Sequence, residues 1–96
     1  MPDYLFLMHN DASPPEAAWP PYLVRLRAAG NFQGGSAIGT GLCARKSGPA
    51  SAITAHITGF LRIGAANLNE AKSLLPGNPV YEAGGTVEIR ELPATS

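Results

Sequence analysis

The stretch from Ile57 to Leu92 reads as strand, capped helix, strand, and it limits the possible folds more than any other part of the chain. Ile57-Thr-Gly-Phe-Leu-Arg-Ile63 is a strand pattern. Ile57, Gly59, Leu61 and Ile63 share one face, and Thr58, Phe60 and Arg62 share the other. Asn67 then reads as an N-cap, with Glu70 completing a capping-box-like pair. Ala71, Leu74 and Leu75 form the inner stripe of that helix. Pro76-Gly77-Asn78-Pro79 ends it, and Tyr81 to Gly85 leads into a final strand. There Val87 and Ile89 face one way, and Thr86, Glu88 and Arg90 the other.

The first half offers a second set of the same kind. Tyr4-Leu-Phe-Leu-Met8 is a continuous apolar run, which predicts a central strand covered on both faces. Asn10 to Pro15 breaks it. A helix is expected from Pro20-Pro21, because proline is tolerated in the first turn, with a weaker turn over Glu16 to Trp19. Leu23, Leu26 and Ala29 fall at helical spacing, Trp19 lies one turn earlier, and Arg25 and Arg27 point away. Gly30-Asn31 is the stop signal. Phe32 to Ile38 is a glycine-rich second strand, and Leu42 to Lys46 could extend or follow it. Ser47-Gly-Pro49 is a turn, and the third strand is expected over roughly 53–63.

The order βαββαβ predicts an α+β, ferredoxin-like domain spanning 1–96. It is a four-stranded antiparallel sheet with two helices on one face. The helix-free face carries Phe60 and half of the first strand. An apolar face left wet in a soluble chain marks a partner surface, and the simplest partner is a second copy packed sheet to sheet.

The chain of 96 residues is one small domain. Its seven basic and seven acidic side chains cancel, so the electrostatic footprint of a nucleic-acid binder is missing. Cys43 is the only cysteine, which rules out an intrachain disulfide and fits a cytoplasmic address. The run from Tyr4 to Met8 is too short for a membrane span or a signal segment, and it lacks a basic flank. No membrane partner is expected. The glycines from Gly34 to Gly41 do not make a phosphate loop, because Thr40 and Arg45 stand where glycines would be needed before Lys46-Ser47. They are expected to permit a bulge or a close strand approach. Cys43 has no thiol or imidazole near it in sequence and is expected to be a small core residue.

With these residues the chain resembles the YCII-related, or DGPF-type, domains of the dimeric α/β-barrel group. The segments that carry the resemblance are Thr58 to Ile63, Asn69-Glu-Ala71, Pro79 to Arg90, and Leu26 to Gly30 followed by Gly34-Gly35. It implies ferredoxin-like protomers whose sheets pair into a barrel-like dimer, with a cleft between sheet and loops. It also implies, for some members, lyase- or isomerase-like chemistry on a small acidic molecule with a histidine–aspartate pair. The chain departs from the pattern in two places. The segment 47–55 replaces the Asp-Gly-Pro-Phe motif, and the first helix carries no histidine, Trp19 or Tyr22 lying nearest that place. Asp11 matches the position of the partner aspartate.

The chain has two histidines. In the expected topology the first and third strands are adjacent and antiparallel, so His9 and His56 fall at the same end of the sheet, with Asp11 just beyond. An imidazole oriented by a carboxylate could serve as a general base near neutral pH. Three such ligands could also hold a metal. No spacing motif accompanies them, and no metal or cofactor is assigned; the plainer reading is two rim histidines. Arg62 lies mid-strand on the helix-free face, where Glu88 and Arg90 could join it in an ion-pair network or a carboxylate pocket. Two functions follow. One is a non-catalytic dimeric module binding a small molecule or a protein. The other is a lyase- or isomerase-like enzyme acting on a small acidic metabolite, with Asp11 and His9 or His56 as acid and base, Arg62 holding the substrate carboxylate, and Trp19 or Tyr22 as the cleft wall.

Overall fold

Each strand shows which of its faces meets the helices. In the computed structural model, which describes residues 1–94, β1 (Asp3–His9) alternates strictly. Tyr4, Phe6 and Met8 are buried, and Leu5, Leu7 and His9 are half-buried. β2 (Phe32–Ala37), β3 (Ile57–Gly64) and β4 (Val87–Leu92) complete an antiparallel open sheet in the order β2-β3-β1-β4. β1 is therefore central, as its apolar run predicts, but within one chain only one of its faces is covered.

Three helices supply that cover: α1 (Trp19–Ala28), α2 (Leu68–Ser73) and α3 (Pro79–Glu82). A single 3-10 turn, Glu16–Ala18, precedes α1. The core joins Tyr4, Phe6 and Met8 of β1 to Leu61 and Ile63 of β3. From the helical side it takes Tyr22 and Leu26 of α1, Ala71 of α2, the following Leu75, and Val80 of α3. One apolar layer between sheet and helices is the economical way to bury a half-apolar sheet. The Tyr22 hydroxyl donates to the Leu74 carbonyl at 2.8 Å and so ties α1 to the end of α2.

Local chemistry sets the boundaries. α1 carries proline in its first turn and ends before Gly30, which adopts φ +80°. The buried residues of α1 are Tyr22 and Leu26, not the 23/26/29 stripe; Leu23 is half-buried and Ala29 exposed. α2 starts directly after Asn67, whose side-chain oxygen accepts from the Glu70 N–H at 2.9 Å. α3 was not expected. Asn78 caps it by accepting from the Tyr81 N–H at 3.1 Å, and Pro79 opens it. An asparagine before a proline, the signal for a helix start, stood in the sequence and reads there as a terminator.

The β2–β3 connection differs most from expectation. β3 begins at Ile57 and not near 53, and residues 42–46 form no strand. The last ladder bond runs from the Ile38 N–H to the Thr58 carbonyl at 2.9 Å. Beyond it Gly39 and Gly41 leave the first leg without the side-chain cover that a hairpin needs. Cys43 lies on this connection and is exposed, not a core residue, because no core reaches it. The glycines of β2 have local reasons. The register shifts between Phe32 and Gly34, and Gly34 has φ +136°. A Cβ at Gly35 would come within 2.6 Å of the Phe60 carbonyl oxygen.

Candidate functional site

Antiparallel pairing of β1 with β3 places His9 opposite Ile57, and so beside His56. The two imidazoles meet edge to face with centroids 4.8 Å apart. His9 follows Met8 on β1 and shares the helix-free face with Leu5 and Leu7. Glu88 shares that face on β4, opposite Leu7. His9 Nε2 accordingly lies 3.2 Å from Glu88 Oε1, and Arg90 Nη1 donates to the other Glu88 oxygen at 3.1 Å. Arg90 first, and His9 second, hold the Glu88 carboxyl below its ordinary pKa. Sequence reasoning linked Glu88 to Arg62 and missed its contact with His9. The signal was available, since β4 neighbours β1 in this topology and strand alternation puts Glu88 on the His9 face.

Asp11 lies close to the histidines, but its carboxylate is already engaged. One oxygen accepts from the Thr86 N–H at 2.8 Å and the other from the Thr86 hydroxyl at 2.6 Å. These bonds hold its carboxyl below the ordinary range, with the charge of His9 the smallest contributor. The residue works as a clasp between the loop after β1 and the start of β4. Thr86 gives no sequence cue for this, because the contact depends on where two distant loops meet.

Arg62 is exposed and pairs with Asp3 at 2.6 Å, while its Nε donates to the Gln33 side-chain oxygen at 3.2 Å. The Arg62 hydrogen bond keeps the Asp3 carboxyl below its ordinary pKa. The expected network with Glu88 and Arg90 does not form. β1 lies between β3 and β4, its Leu5 stands in register with both Arg62 and Arg90, and Asp3 on the adjacent strand takes Arg62 instead.

The two aromatic candidates separate. Trp19 is half-buried and helps to line a cavity of about 530 Å³ between α1 and the sheet, together with Met8, Leu23, Phe32, Gly35 and Leu61. Tyr22 is 2 % exposed and belongs to the core. Burial raises its phenol pKa, opposed by the neighbouring Asn78 amide and by Arg25. The Asn78 amide nitrogen closes no hydrogen bond with it and is buried without a partner among the described residues. His9 also lines this cavity, which therefore lies at the expected end of the sheet with Trp19 as a wall, whereas Asp11 and His56 do not line it.

Among the described residues no group of three or more His, Cys, Asp or Glu side chains is placed to hold a metal ion. None of the described helices is long and apolar enough to cross a membrane. Comparison with protein-family models, with curated proteins and with solved structures returns no match.

Proposed function

We propose that this chain is a non-catalytic interaction module that works as a cytoplasmic homodimer, a YCII-related domain whose two helix-free sheet faces pack into a dimeric α/β barrel. The observation that carries this reading is the composition of that face. Leu5 and Leu7 of β1 stand beside Phe60 of β3, all half-buried, in the middle of the sheet. The Asp3–Arg62 pair and the His9–Glu88–Arg90 chain flank them. An apolar centre with a polar, ion-paired rim is the anatomy of a protein interface. The Asp11 carboxylate supports the non-catalytic part, since both of its oxygens serve Thr86 and neither serves a histidine.

Sedimentation tests the pairing. The wild-type chain is expected at twice its 10.0 kDa mass at micromolar concentration. Phe60→Asp should yield monomer or aggregate, because it places a charge in an apolar contact. A compact wild-type monomer at that concentration refutes the reading.

The 3.2 Å contact of His9 with Glu88 favours a second reading, a lyase- or isomerase-like site on a small acidic metabolite. A carboxylate on Nε2 would fix the tautomer and leave Nδ1 as a base. The metabolite's carboxylate would have to displace Asp3 from Arg62 or Glu88 from Arg90. Nitrogen NMR of the imidazoles separates the two readings: a single His9 tautomer that Glu88→Gln releases supports the site, and tautomer populations unmoved by Glu88→Gln remove it.

A further inference from the structure

Residues 38–56 leave the sheet as an arm. Every residue in it is exposed, and none lies in a helix or strand. Connections of this length without secondary structure are uncommon in compact domains and are usually functional or linkers. Although rich in Gly, Ala, Ser and Thr, it carries three large apolar side chains. Ile38, Leu42 and Ile53 are 41 %, 83 % and 43 % exposed, and large apolar side chains on a projecting arm need somewhere to go. The legs run side by side beyond the last ladder bond: the Ile53 δ-methyl lies 3.4 Å from where a Cβ on Gly41 would be. The radius of gyration, 14.8 Å, exceeds the roughly 12.5 Å of a compact chain of this size. The arm therefore extends away from the body instead of folding over it.

The body holds an apolar recess of matching character. The cavity beneath α1 has a sheet floor at Met8, Gly35 and Leu61 and walls from Trp19, Leu23 and Phe32. Its rim carries an acid, Glu16, while the arm carries Arg45 and Lys46 and no acidic residue. We propose that the arm docks in the cavity of a second copy, with Leu42 and Ile53 against the Trp19–Leu23–Phe32 wall and the basic tip near Glu16. A chain cannot readily fill its own cavity this way. Ala37 and Thr58, at the root of the arm, line the cavity edge, and no residue of the arm beyond them does. Each protomer's recess is then completed by the partner's residues. This rests on the homodimer proposed above and adds a second, separable contact to sheet pairing.

Cys43, the only thiol, sits on the arm and makes the contact testable. Wild-type chain would be mixed with a mass-tagged Pro20→Cys/Cys43→Ser variant and treated with a short thiol crosslinker. Pro20 is exposed and lines the cavity at the start of α1. A covalent heterodimer of wild-type chain and variant is the expected product. Its absence from a sample that sediments as dimer overturns the proposal. So does an intramolecular bridge as the main product in a Pro20→Cys chain that keeps Cys43. A second arm of the experiment replaces residues 39–55 with an Asn-Gly turn. The dimer dissociation constant should rise at least tenfold, and an unchanged constant overturns arm docking while leaving sheet pairing intact. Crosslinking that survives Phe60→Asp would support the arm contact independently of sheet pairing.

Discussion

Replacing Tyr22 with phenylalanine removes one oxygen and asks whether this residue belongs to a ligand cleft or to the fold. The ring is 2 % exposed, so its apolar burial is unchanged by the substitution. What is lost is the 2.8 Å bond from the phenol to the Leu74 carbonyl at the C-terminal cap of α2. A typical hydrogen bond contributes about 1 kcal/mol net, and a buried carbonyl left without a donor costs about 1–3 kcal/mol. Leu74 is half-buried, so water can partly replace the phenol, and the lower half of that range, about 1–2 kcal/mol, is expected. For a domain of this size each kcal/mol moves the melting temperature by about 4–8 °C, giving a drop of roughly 4–16 °C. Thermal unfolding followed by circular dichroism at fixed protein concentration measures it, the concentration being held because dimerisation shifts the apparent stability. Leu26→Ala, a buried neighbour on α1, should cost about 2–5 kcal/mol and shows that the assay resolves core losses. A Tyr22→Phe melting temperature within 2 °C of wild type, taken as roughly the resolution of the assay, would refute the tie between α1 and α2.

Three further outcomes follow. Asn67→Ala removes the acceptor for the Glu70 N–H and should destabilise the chain by about 1 kcal/mol, with Asn67→Asp restoring it, as read by chemical denaturation. Asp3, Asp11 and Glu88 have folded-state pKa values below their unfolded ones, so their stabilisation is fully present above roughly pH 4.5 and lost as pH falls through the folded values. The melting temperature should stay flat from neutral pH to about 5 and then decline, and an equally steep decline in Asp11→Asn would remove Asp11 from the account. The raised Tyr22 pKa has the opposite sign: stability is intact below about pH 10 and lost as pH rises towards the folded value. In ultraviolet titration the phenol signal lost in Tyr22→Phe should ionise above the ordinary phenol value, and its ionisation at that ordinary value in the folded chain would contradict the burial of Tyr22.

Element order, caps and faces are legible in the chain alone, because these depend on neighbours along it. Asn67, Gly30 and the prolines of α1 act over one turn, and the alternation from Ile57 to Ile63 shows which side chains share a face whatever lies above them. Strand order then followed from crossover handedness, and with it the meeting of His9 and His56. Tertiary structure decided what those residues touch. Asp11 goes to Thr86, and Arg62 goes to Asp3 instead of Glu88, because such pairings depend on which loops close on one another and on one strand's width of separation. Trp19 and Tyr22, three residues apart on α1, differ only in the angle at which the helix lies on the sheet, yet one lines a cavity and the other fills the core. The arm is the limiting case. Residues 42–46 and 53–56 carry strand-compatible side chains, but a strand exists only where another backbone offers its hydrogen bonds, and within one chain β2 and β3 stop offering them at Ile38 and Thr58.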